Sequence, residues 1–330
     1  MNFDELFKGF TNTKVLIVGD VMLDTYWWGN VDRISPEAPV PVVALKNKEL
    51  RVGGAANVAL NTAALGAQTA IISVVGNDSD GAQLKQLMQE SNIDISAIIS
   101  SGERITTNKV RIMSRNQQMM RLDAEITTDI EGALEQQLID AVSSYIERNH
   151  TQILILEDYN KGVLTKRVIE TLVAFCNERG VLTAVDPKRK NFLTYKGVTL
   201  FKPNLKEVKE GLNLLVDRIN LQTLHEIHNA LKKELGHVIS FITLSEKGVF
   251  YQKENESVII PTHIRNIADV SGAGDTVIAV ASLVYATTQN MRLAAEMANV
   301  AGGLVCEEVG TAAINKDKLL AECKLLLKAL

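Results

Sequence analysis

The sequence predicts an α/β fold in which a mostly parallel β-sheet is covered by helices on both faces. Short apolar runs alternate with longer amphipathic segments from Thr69 to Asp186, as in chains built of strand–helix–strand units. Several runs are apolar throughout, which is typical of strands buried on both faces. With 46% hydrophobic residues in 330 and no internal repeat or linker, we expect a single domain over residues 1–330.

Charge and composition exclude several classes of function. The formal net charge is −4 and no basic block occurs, so neither a nucleic acid nor a membrane is expected as a partner. The N-terminal residues lack the apolar core of a signal peptide, and no apolar run approaches the roughly 18–20 residues of a membrane span. Three cysteines without Cys-x-x-Cys spacing fit buried thiols in a reducing compartment. We therefore expect a cytoplasmic enzyme that acts on small molecules.

The first strand is predicted over residues 14–20 and ends in Gly19 and Asp20. Ligands of open α/β sheets bind beyond the carboxyl ends of the strands, so Asp20 and the nearby Asp24 are candidates for holding a polyhydroxy substrate. Aspartate is also common in turns, and neither residue alone decides between the two interpretations.

Two segments have the composition of a small antiparallel sheet outside the main one. Residues from about 21 to 51 hold two tryptophans, three prolines and alternating β-branched residues, and residues from about 100 to 122 form a second such segment. Since a sheet with apolar residues on one side needs a partner, we expect the two segments to form one β lid over the site and the interface of a homodimer. The alternative is a pair of surface hairpins.

Gly53 and Gly54 precede a predicted helix, and Asn57 in its first turn offers a donor and an acceptor to a ligand hydroxyl. Small residues at a helix start also occur for close packing alone. Beyond this helix, the predicted strands are residues 69–76, near 95–99, 152–156, 181–186, 238–243, 249–251 and 257–260. The further predicted helices are residues 79–91, 130–149, 165–179, 291–308 and 316–328.

Charged groups follow two of these strands, and an amide and a carboxylate stand at a further helix start. Lys161 and Lys188 lie in basic clusters that suit a phosphorylated substrate, although such clusters are more often simply solvated. Asn204 and Glu207 stand three apart at a helix start, which is the pattern of a capping box. In a functional interpretation, Glu207 orients Mg²⁺ on nucleotide phosphates through water, since hydrated Mg²⁺ needs only one or two carboxylates.

A histidine pair does not have the spacing of a metal site. His225 and His228 stand three apart, whereas a zinc-binding helix places two histidines four apart. With His237 further on, we expect these histidines on a solvated helix face.

The most informative stretch is Ser271-Gly272-Ala273-Gly274-Asp275, followed at once by an apolar run that predicts a helix. Its glycines let backbone N–H groups approach a ligand, and the helix dipole adds positive potential, so the stretch predicts an anion site. Residue 277 is not glycine and no Lys-Ser or Lys-Thr pair follows, which disfavours a dinucleotide fingerprint and a Walker A loop. A phosphoryl-transfer site fits, with Asp275 either a helix cap or a catalytic carboxylate that the helix dipole keeps ionised.

Together these motifs resemble those of the ribokinase-like sugar kinases along nearly the whole chain. Gly-Gly-Ala-Ala-Asn at residues 53–57, Asn-x-x-Glu at 204–207 and Asp-Val-Ser-Gly-Ala-Gly-Asp-Thr at 269–276 occur in that family's order and approximate separation. Residues 19–24, 33–43 and 114–123, the last including Asn116, are similar to the branch of the family that phosphorylates D-glycero-β-D-manno-heptose 7-phosphate.

The resemblance implies a ribokinase-like fold and ATP-dependent phosphorylation of the anomeric hydroxyl of that heptose phosphate, on the route to ADP-heptose and the lipopolysaccharide core. ATP and Mg²⁺ are the implied cofactors, and a monovalent cation stays open. The implied general base is Asp275, and the implied anion hole is Gly272, Ala273 and Gly274. The implied nucleotide and Mg²⁺ residues are Asn204, Glu207, Ser245, Lys247 and Gly248. The implied sugar ligands are Asp20, Asp24, Gly53, Gly54 and Asn57, with Lys109, Arg111, Lys161 and Lys188 for the substrate phosphate.

Two features depart from the family pattern. Ser271 stands where the family often has threonine, which keeps the hydroxyl group. Many relatives are fused to a nucleotidylyltransferase half, and no His-x-x-His signature follows the last predicted helix here, so we expect adenylyl transfer from another polypeptide. Two other functions stay open: a family kinase for a pentose, fructose 1-phosphate or a nucleoside, and a non-catalytic sugar-phosphate sensor. A nicotinamide oxidoreductase ranks behind both, because the fingerprint is lacking.

Overall fold

The computed structural model of the chain describes residues 2–115, 117–215, 218–263 and 265–327. Asn116 of the second predicted lid segment lies outside these residues, as does residue 328 at the end of the last predicted helix. The strands are β1 (Lys14–Gly19), β2 (Val21–Ile34), β3 (Pro41–Gly54), β4 (Gln68–Ile72), β5 (Val74–Gly76), β6 (Ile99–Ser101), β7 (Asn108–Ser114), β8 (Gln117–Ala124), β9 (Ile153–Glu157), β10 (Leu182–Asp186), β11 (Leu200–Phe201), β12 (Ile239–Thr243), β13 (Val249–Lys253) and β14 (Glu256–Ile260). The α-helices are α1 (Phe3–Gly9), α2 (Ala55–Ala64), α3 (Ser79–Glu90), α4 (Gly132–Asn149), α5 (Lys166–Arg179), α6 (Leu205–Gly211), α7 (Leu221–Leu235), α8 (Ala273–Thr288), α9 (Met291–Val305) and α10 (Lys316–Leu326).

The main sheet has eight strands in the order β14-β13-β12-β11-β10-β9-β1-β4. The six strands from β4 to β12 in this order are parallel, and β13 and β14 extend the edge antiparallel. The chain leaves β1 towards β4 on one side and later fills β9 to β12 on the other. The carboxyl ends of β1 and β9 therefore meet where the strand order reverses, which is where ligands bind in open α/β sheets.

Alternate residues of the central strands enter two different apolar cores. Val15 and Ile17 of β1 pack with α1, α2, α3, α8, α9 and α10, whereas Leu16 and Val18 pack with α4, α5, α6 and α7. Both faces of the strand are thus buried, which explains why its sequence is apolar throughout. The predicted mostly parallel sheet with helices on both faces is confirmed.

A second sheet, in the order β3-β2-β7-β8, is built from the two segments that the sequence assigns to a lid. β2 and β3 form one antiparallel hairpin, and β7 and β8 form another. The hairpins join through β2 and β7, which run parallel, so the prediction of an antiparallel sheet is wrong at this pair. β3 ends at Gly54, directly before α2, and this places the second sheet beside the carboxyl end of β1.

Two strand predictions are corrected. The strand predicted over residues 69–76 is divided between β4 in the main sheet and β5, which pairs with β6 in a separate two-stranded sheet. Between them, the Ser73 hydroxyl donates to the carbonyl oxygen of Gly19 over 2.6 Å, which turns the chain out of the main sheet. The strand predicted near residues 95–99 lies at Ile99–Ser101 instead.

The prediction of solvated histidines is wrong for His228 and His237, which are buried, whereas His225 is exposed. Nδ1 of His228 lies 2.9 Å from Ser240 Oγ, and Nε2 of His237 lies 2.6 Å from the same oxygen. Burial lowers the pKa of His228 to about 4 and that of His237 to about 3, so both rings are neutral at physiological pH.

No helix within the described ranges is long and apolar enough to cross a membrane.

Candidate active site

The predicted site residues are arranged in sheet order along the carboxyl edge of the main sheet. Residues 204–207 and 245–248 follow β11 and β12, whereas Asp24 and Asn57 lie on the side of β1. The start of α8 lies between these two groups: a Cβ atom added at Gly274 would be 3.7 Å from Asp186 Oδ2, and one at Gly272 would be 2.7 Å from Asn57 Nδ2. The start of α8 therefore lies between the predicted nucleotide residues and the predicted sugar residues.

The turn before α8 exposes backbone donors. Gly272 is the N-cap residue and has φ of 76°, a left-handed conformation that favours glycine. Ala273 N–H donates to the carbonyl of Val270, and Thr276 N–H closes the first helical bond to Gly272. The N–H groups of Gly274 and Asp275 find no acceptor among the residues that the structure describes. These donors form a site for an anion at the positive end of the helix dipole.

Asp275 does not cap this helix. Its Oδ2 accepts a hydrogen bond from Asn57 Nδ2 at 2.8 Å, and its Oδ1 accepts one from the Tyr159 hydroxyl at 2.7 Å. The side chain is 3% exposed. The alternative of a simple helix cap is therefore wrong, and the carboxylate is held in one orientation from two sides.

Burial has the largest influence on the pKa of this group. Desolvation is the largest influence and raises the pKa of Asp275 to about 6, the Asn57 and Tyr159 hydrogen bonds lower it, and nearby Asp186 raises it. The carboxylate is thus mostly ionised at neutral pH, as predicted, and its pKa is close to the value that suits a general base.

Tyr159 is a site residue that sequence reasoning missed. It follows β9 directly, and its ring is flanked by Lys109 Nζ at 5.5 Å and by Lys188 Nζ at 5.3 Å from the ring centroid. The cations attract the electron-rich faces of the ring and hold its hydroxyl against Asp275. The available signal was its position directly after a buried strand, between Asp158 and Lys161.

Two lysines neutralise Asp186. Its Oδ2 accepts from Lys202 Nζ at 2.8 Å and its Oδ1 from Lys188 Nζ at 3.2 Å. The attraction of both cations holds the pKa of the Asp186 carboxyl below its usual range although burial raises it. Lys202, which is almost fully buried, is a second residue that sequence reasoning missed, because a single lysine after a short apolar run belongs to no recognised motif.

A third buried carboxylate, Glu157, lies in the same place. One oxygen each of Glu157, Asp186 and Asp275 lie within 4.8 Å of one another. Such a group has the spacing of a metal site, but both oxygens of Asp186 already accept from ammonium groups and both oxygens of Asp275 already accept hydrogen bonds. The distances alone therefore do not assign an ion here.

Asn204 and Glu207 form the predicted capping box of α6. Asn204 Oδ1 accepts from Glu207 N–H at 2.8 Å, and Glu207 Oε2 accepts from Asn204 N–H at 2.7 Å. The second oxygen, Oε1, accepts from Lys188 Nζ at 2.9 Å. Since both oxygens are occupied, an ion at Glu207 would be held through water, in the way that hydrated Mg²⁺ is commonly bound.

Ser245, Lys247 and Gly248 lie in the turn between β12 and β13. This turn lies next to the capping box. Thr243 N–H donates to the Pro203 carbonyl at 3.1 Å, and Asn204 and Thr243 form an isolated parallel β-bridge. Gly248 has φ of 94°, and a Cβ atom there would lie 2.0 Å from the carbonyl oxygen of Ile260. Ser245 and Lys247 are exposed.

Asp20 lies at the predicted strand end, but a neighbouring loop occupies its carboxylate. Its Oδ2 accepts from the N–H groups of Tyr159 and Lys161, and its Oδ1 accepts from that of Val163, at 2.8–3.0 Å. The carboxylate is buried, and its three bonds to backbone N–H groups position the loop that carries Tyr159. Burial raises the pKa of Asp20 to about 6.

The remaining sugar-side residues do come together. Arg111 of β7 donates to Asp24 Oδ1, and a Cβ atom at Gly53 would lie 2.4 Å from Asp24 Oδ2, so glycine makes room for this carboxylate. Gly54 has φ of 60° and passes close to the carbonyl oxygen of Asp20. The Lys161 ammonium pairs with Glu125 at 2.7 Å. Lys109 makes no ion pair with any residue in the described part of the chain, which leaves its charge available.

Comparison with known proteins places the chain in a family. Residues 12–318 match the model of the pfkB family of carbohydrate kinases. The Bifunctional protein HldE of Citrifermentans bemidjiense is 38% identical over 320 residues, which are 97% of this chain and 65% of that protein. The protein of the same name from Nitratiruptor sp. is 40% identical over 306 residues, 93% of this chain and 64% of that protein. The chain thus spans less than two thirds of the length of these relatives.

The chain also shares its fold with solved structures. Tetrameric inhibited phosphofructokinase-2 from Escherichia coli has a TM-score of 0.76 at 16% identity, with 94% of this chain and 99% of that chain covered. Ribokinase from Arabidopsis thaliana, complexed with ribose and ATP, has a TM-score of 0.73 at 16% identity, with 93% and 98% covered. The chain belongs to the pfkB family of carbohydrate kinases and has a ribokinase-like fold.

Proposed function

We propose that this kinase transfers the γ-phosphoryl group of ATP to the anomeric hydroxyl of D-glycero-β-D-manno-heptose 7-phosphate in the cytoplasm. The product would be the 1,7-bisphosphate, on the route to ADP-heptose and the lipopolysaccharide core. The observation that carries the chemistry is the buried Asp275 carboxylate beside two N–H groups at the start of α8 that have no acceptor among the described residues. The heptose substrate is supported by the resemblance of residues 19–24, 33–43 and 114–123 to the heptose 7-phosphate branch of the family.

Asp275 acts as the general base in this proposal. It accepts the proton of the anomeric hydroxyl while that oxygen forms a bond to the γ-phosphorus, and the bond from the γ-phosphorus to ADP breaks. Phosphoryl transfer has a loose transition state, so catalysis depends on alignment and on neutralising charge. Asn57 and Tyr159 orient the carboxylate, and the N–H groups after Gly272 stabilise the migrating anion.

The nucleotide side is assigned to the residues after β11 and β12. Asn204 and the turn formed by Ser245, Lys247 and Gly248 would line the nucleotide pocket, since the structure joins them through Thr243. Glu207 would hold Mg²⁺ through water, and the ion supplies charge neutralisation on the nucleotide phosphates. Lys188 pairs with Glu207 and also flanks Tyr159, so we assign it to the phosphoryl group in transfer.

The acceptor side is assigned to the residues near β1 and in the second sheet. Asp24, Asn57 and the backbone at Gly53 and Gly54 would bind sugar hydroxyls. Among the proposed phosphate-binding cations, Arg111 and Lys161 are paired with Asp24 and Glu125. Lys109 carries no such partner in the described ranges, and we assign the 7-phosphate chiefly to it.

This assignment of Lys109 is tested by Lys109→Met. We expect KM for heptose 7-phosphate to rise at least about tenfold, because one charge-assisted contact is lost, while KM for ATP stays within about twofold. Lys166→Met, which removes an exposed lysine of α5, is the matched control. Equal increases in both KM values would contradict the assignment.

We propose that the sheet β3-β2-β7-β8 is a lid of one kinase domain and pairs with a second copy of the chain. Ile34, Leu45, Met120 and Leu122 of this sheet expose between 46% and 61% of their surface. Covering them in a homodimer would remove apolar surface from water. The lid would also exclude water from the reacting groups.

The proposed function is tested by ADP release with Mg²⁺ and ATP over a panel of acceptors. Heptose 7-phosphate is expected to exceed ribose, fructose 1-phosphate and adenosine in kcat/KM by at least about 100-fold, since a substrate that lacks the recognised groups leaves buried polar groups unpaired. A different preferred sugar would identify another kinase activity. Absence of ADP release with every acceptor would identify a binding protein.

A further inference from the structure

Glu157 is the last residue of β9 and has no role in the mechanism above. It is fully buried, and neither of its carboxylate oxygens has a hydrogen-bond partner in the described part of the chain. An ionised carboxylate in such a place would be very costly, because it has lost its water and gained nothing in return. Either a proton or a cation must therefore neutralise it.

The surroundings of Glu157 favour a proton. The charged and titratable groups that face it are Asp186 and Asp275, Lys188 and Lys202, and Tyr159 and Tyr195. The two ammonium groups are already directed at Asp186, whose two oxygens they occupy. The two oxygens of Asp275 are occupied by Asn57 and Tyr159. A metal ion would have to share Asp186 with both lysines, whereas a proton needs no further ligand.

We propose that Glu157 is a protonated, neutral carboxyl group at neutral pH and serves as a positioning residue beneath the base Asp275. One of its oxygens lies within 4.8 Å of carboxylate oxygens of both aspartates, so protonation keeps a third negative charge away from the base. Burial together with the charges of Asp186 and Asp275 raises the pKa of Glu157 well above its ordinary value. The protonation of Glu157 does not depend on the proposed function, whereas its role towards Asp275 rests on that function.

The protonation is tested by the pH dependence of stability. In the folded chain Glu157 keeps a proton that the unfolded chain loses above its ordinary pKa of 4.5, so this group reduces the stability of the wild type as the pH rises. Glu157→Gln has the same shape and cannot ionise. The ratio of the wild-type to the variant unfolding constant should therefore increase by up to about tenfold per pH unit between pH 5.5 and 7.5.

Glu178→Gln, at an exposed position of α5, is the matched control and should show no such trend. A difference between Glu157→Gln and the wild type that does not change with pH would overturn the proposal. Infrared spectroscopy of the wild type gives a second measurement that needs no folded variant. A protonated carboxyl C=O band at pH 8 is expected, where the Asp20 and Asp275 carboxyls are ionised, and its absence would overturn the proposal.

Two further readouts separate the alternatives. Titration with MnCl₂ alone should give the same binding to the wild type and to Glu157→Gln, and loss of a Mn²⁺ site in the variant would show that a cation, not a proton, neutralises Glu157. The acid limb of kcat/KM should keep its midpoint in Glu157→Gln. If instead Glu157 is ionised, its removal would lower that midpoint by about one pH unit or more.

Discussion

At the scale of single residues, the behaviour of Asp275 is a balance between burial and hydrogen bonding. Loss of water favours the neutral acid, whereas donors from Asn57 and Tyr159 favour the carboxylate. The outcome is a pKa of about 6. With this pKa the group is mostly ionised at neutral pH, and its affinity for a proton is still high enough for a general base. The same shift reduces folding stability as the pH rises from about 4 to about 6, because the folded chain binds this proton more tightly than the unfolded chain.

Tyr159→Phe tests this balance. The variant loses a hydrogen bond to the charged form of Asp275, so the pKa of the base rises. We expect the acid limb of kcat/KM, with a wild-type midpoint near pH 6, to move up by about one unit in assays between pH 5 and 9.

Tyr145→Phe is the matched control, because it removes a tyrosine hydrogen bond to Asp94 at a distance from the site. Its pH profile should equal that of the wild type. An unshifted acid limb in Tyr159→Phe would contradict the assignment of Asp275 as the group that titrates.

At the scale of elements, the start of α8 carries both the proposed anion site and the proposed base. Gly272 combines a left-handed backbone with close approach to Asn57, the residue that holds Asp275. A side chain here would disturb the turn and the base together. The element therefore links local backbone geometry directly to the proposed chemistry.

Gly272→Ala tests whether the backbone conformation of this turn orients Asp275. The left-handed conformation costs a non-glycine residue about 1–3 kcal/mol, and the new Cβ atom would lie 2.7 Å from Asn57 Nδ2. We expect a loss of about 1–3 kcal/mol in urea denaturation and a decrease in kcat of at least about tenfold.

Gly102→Ala is the control, since a Cβ atom there meets nothing within 4 Å. That variant should retain stability and kcat. If Gly272→Ala keeps the wild-type kcat, the turn does not orient the base.

The sequence predicted those elements that depend on the spacing and periodicity of neighbouring residues alone. The glycine turn, the capping box of Asn204 and Glu207 and most strands and helices follow from spacing and periodicity. It did not predict the contact of Tyr159 with Asp275 or the burial of Lys202, because both depend on which strand ends become neighbours in the sheet. Asp20 was placed at the correct strand end, but the three backbone donors that surround it come from the loop after β9.

At the scale of the whole molecule, the strand order separates the two proposed substrates. The predicted nucleotide residues follow β11 and β12, the predicted sugar residues lie near β1 and the second sheet, and α8 begins between them. The proposed phosphoryl transfer would take place across the start of α8. The second sheet, which we propose as a lid, lies on the acceptor side, because β2 begins and β3 ends next to the carboxyl end of β1.

The homodimer predicted through this sheet is tested by Leu122→Glu. Leu122 is 46% exposed, and a buried charge in its place would weaken association. We expect the variant to sediment as a monomer in analytical ultracentrifugation where the wild type is a dimer. Leu325→Glu, at a residue of α10 that is 77% exposed, should leave the dimer intact. A monomeric wild type, or a dimeric Leu122→Glu, would contradict the interface.

Asp275→Asn tests the central claim most directly, by ADP release with heptose 7-phosphate, Mg²⁺ and ATP. The amide keeps the shape of the side chain and cannot accept the proton, so kcat should decrease by about 10²–10⁴ while ATP binding, measured by calorimetry, stays nearly unchanged. Turnover at the wild-type rate in this variant would contradict the account.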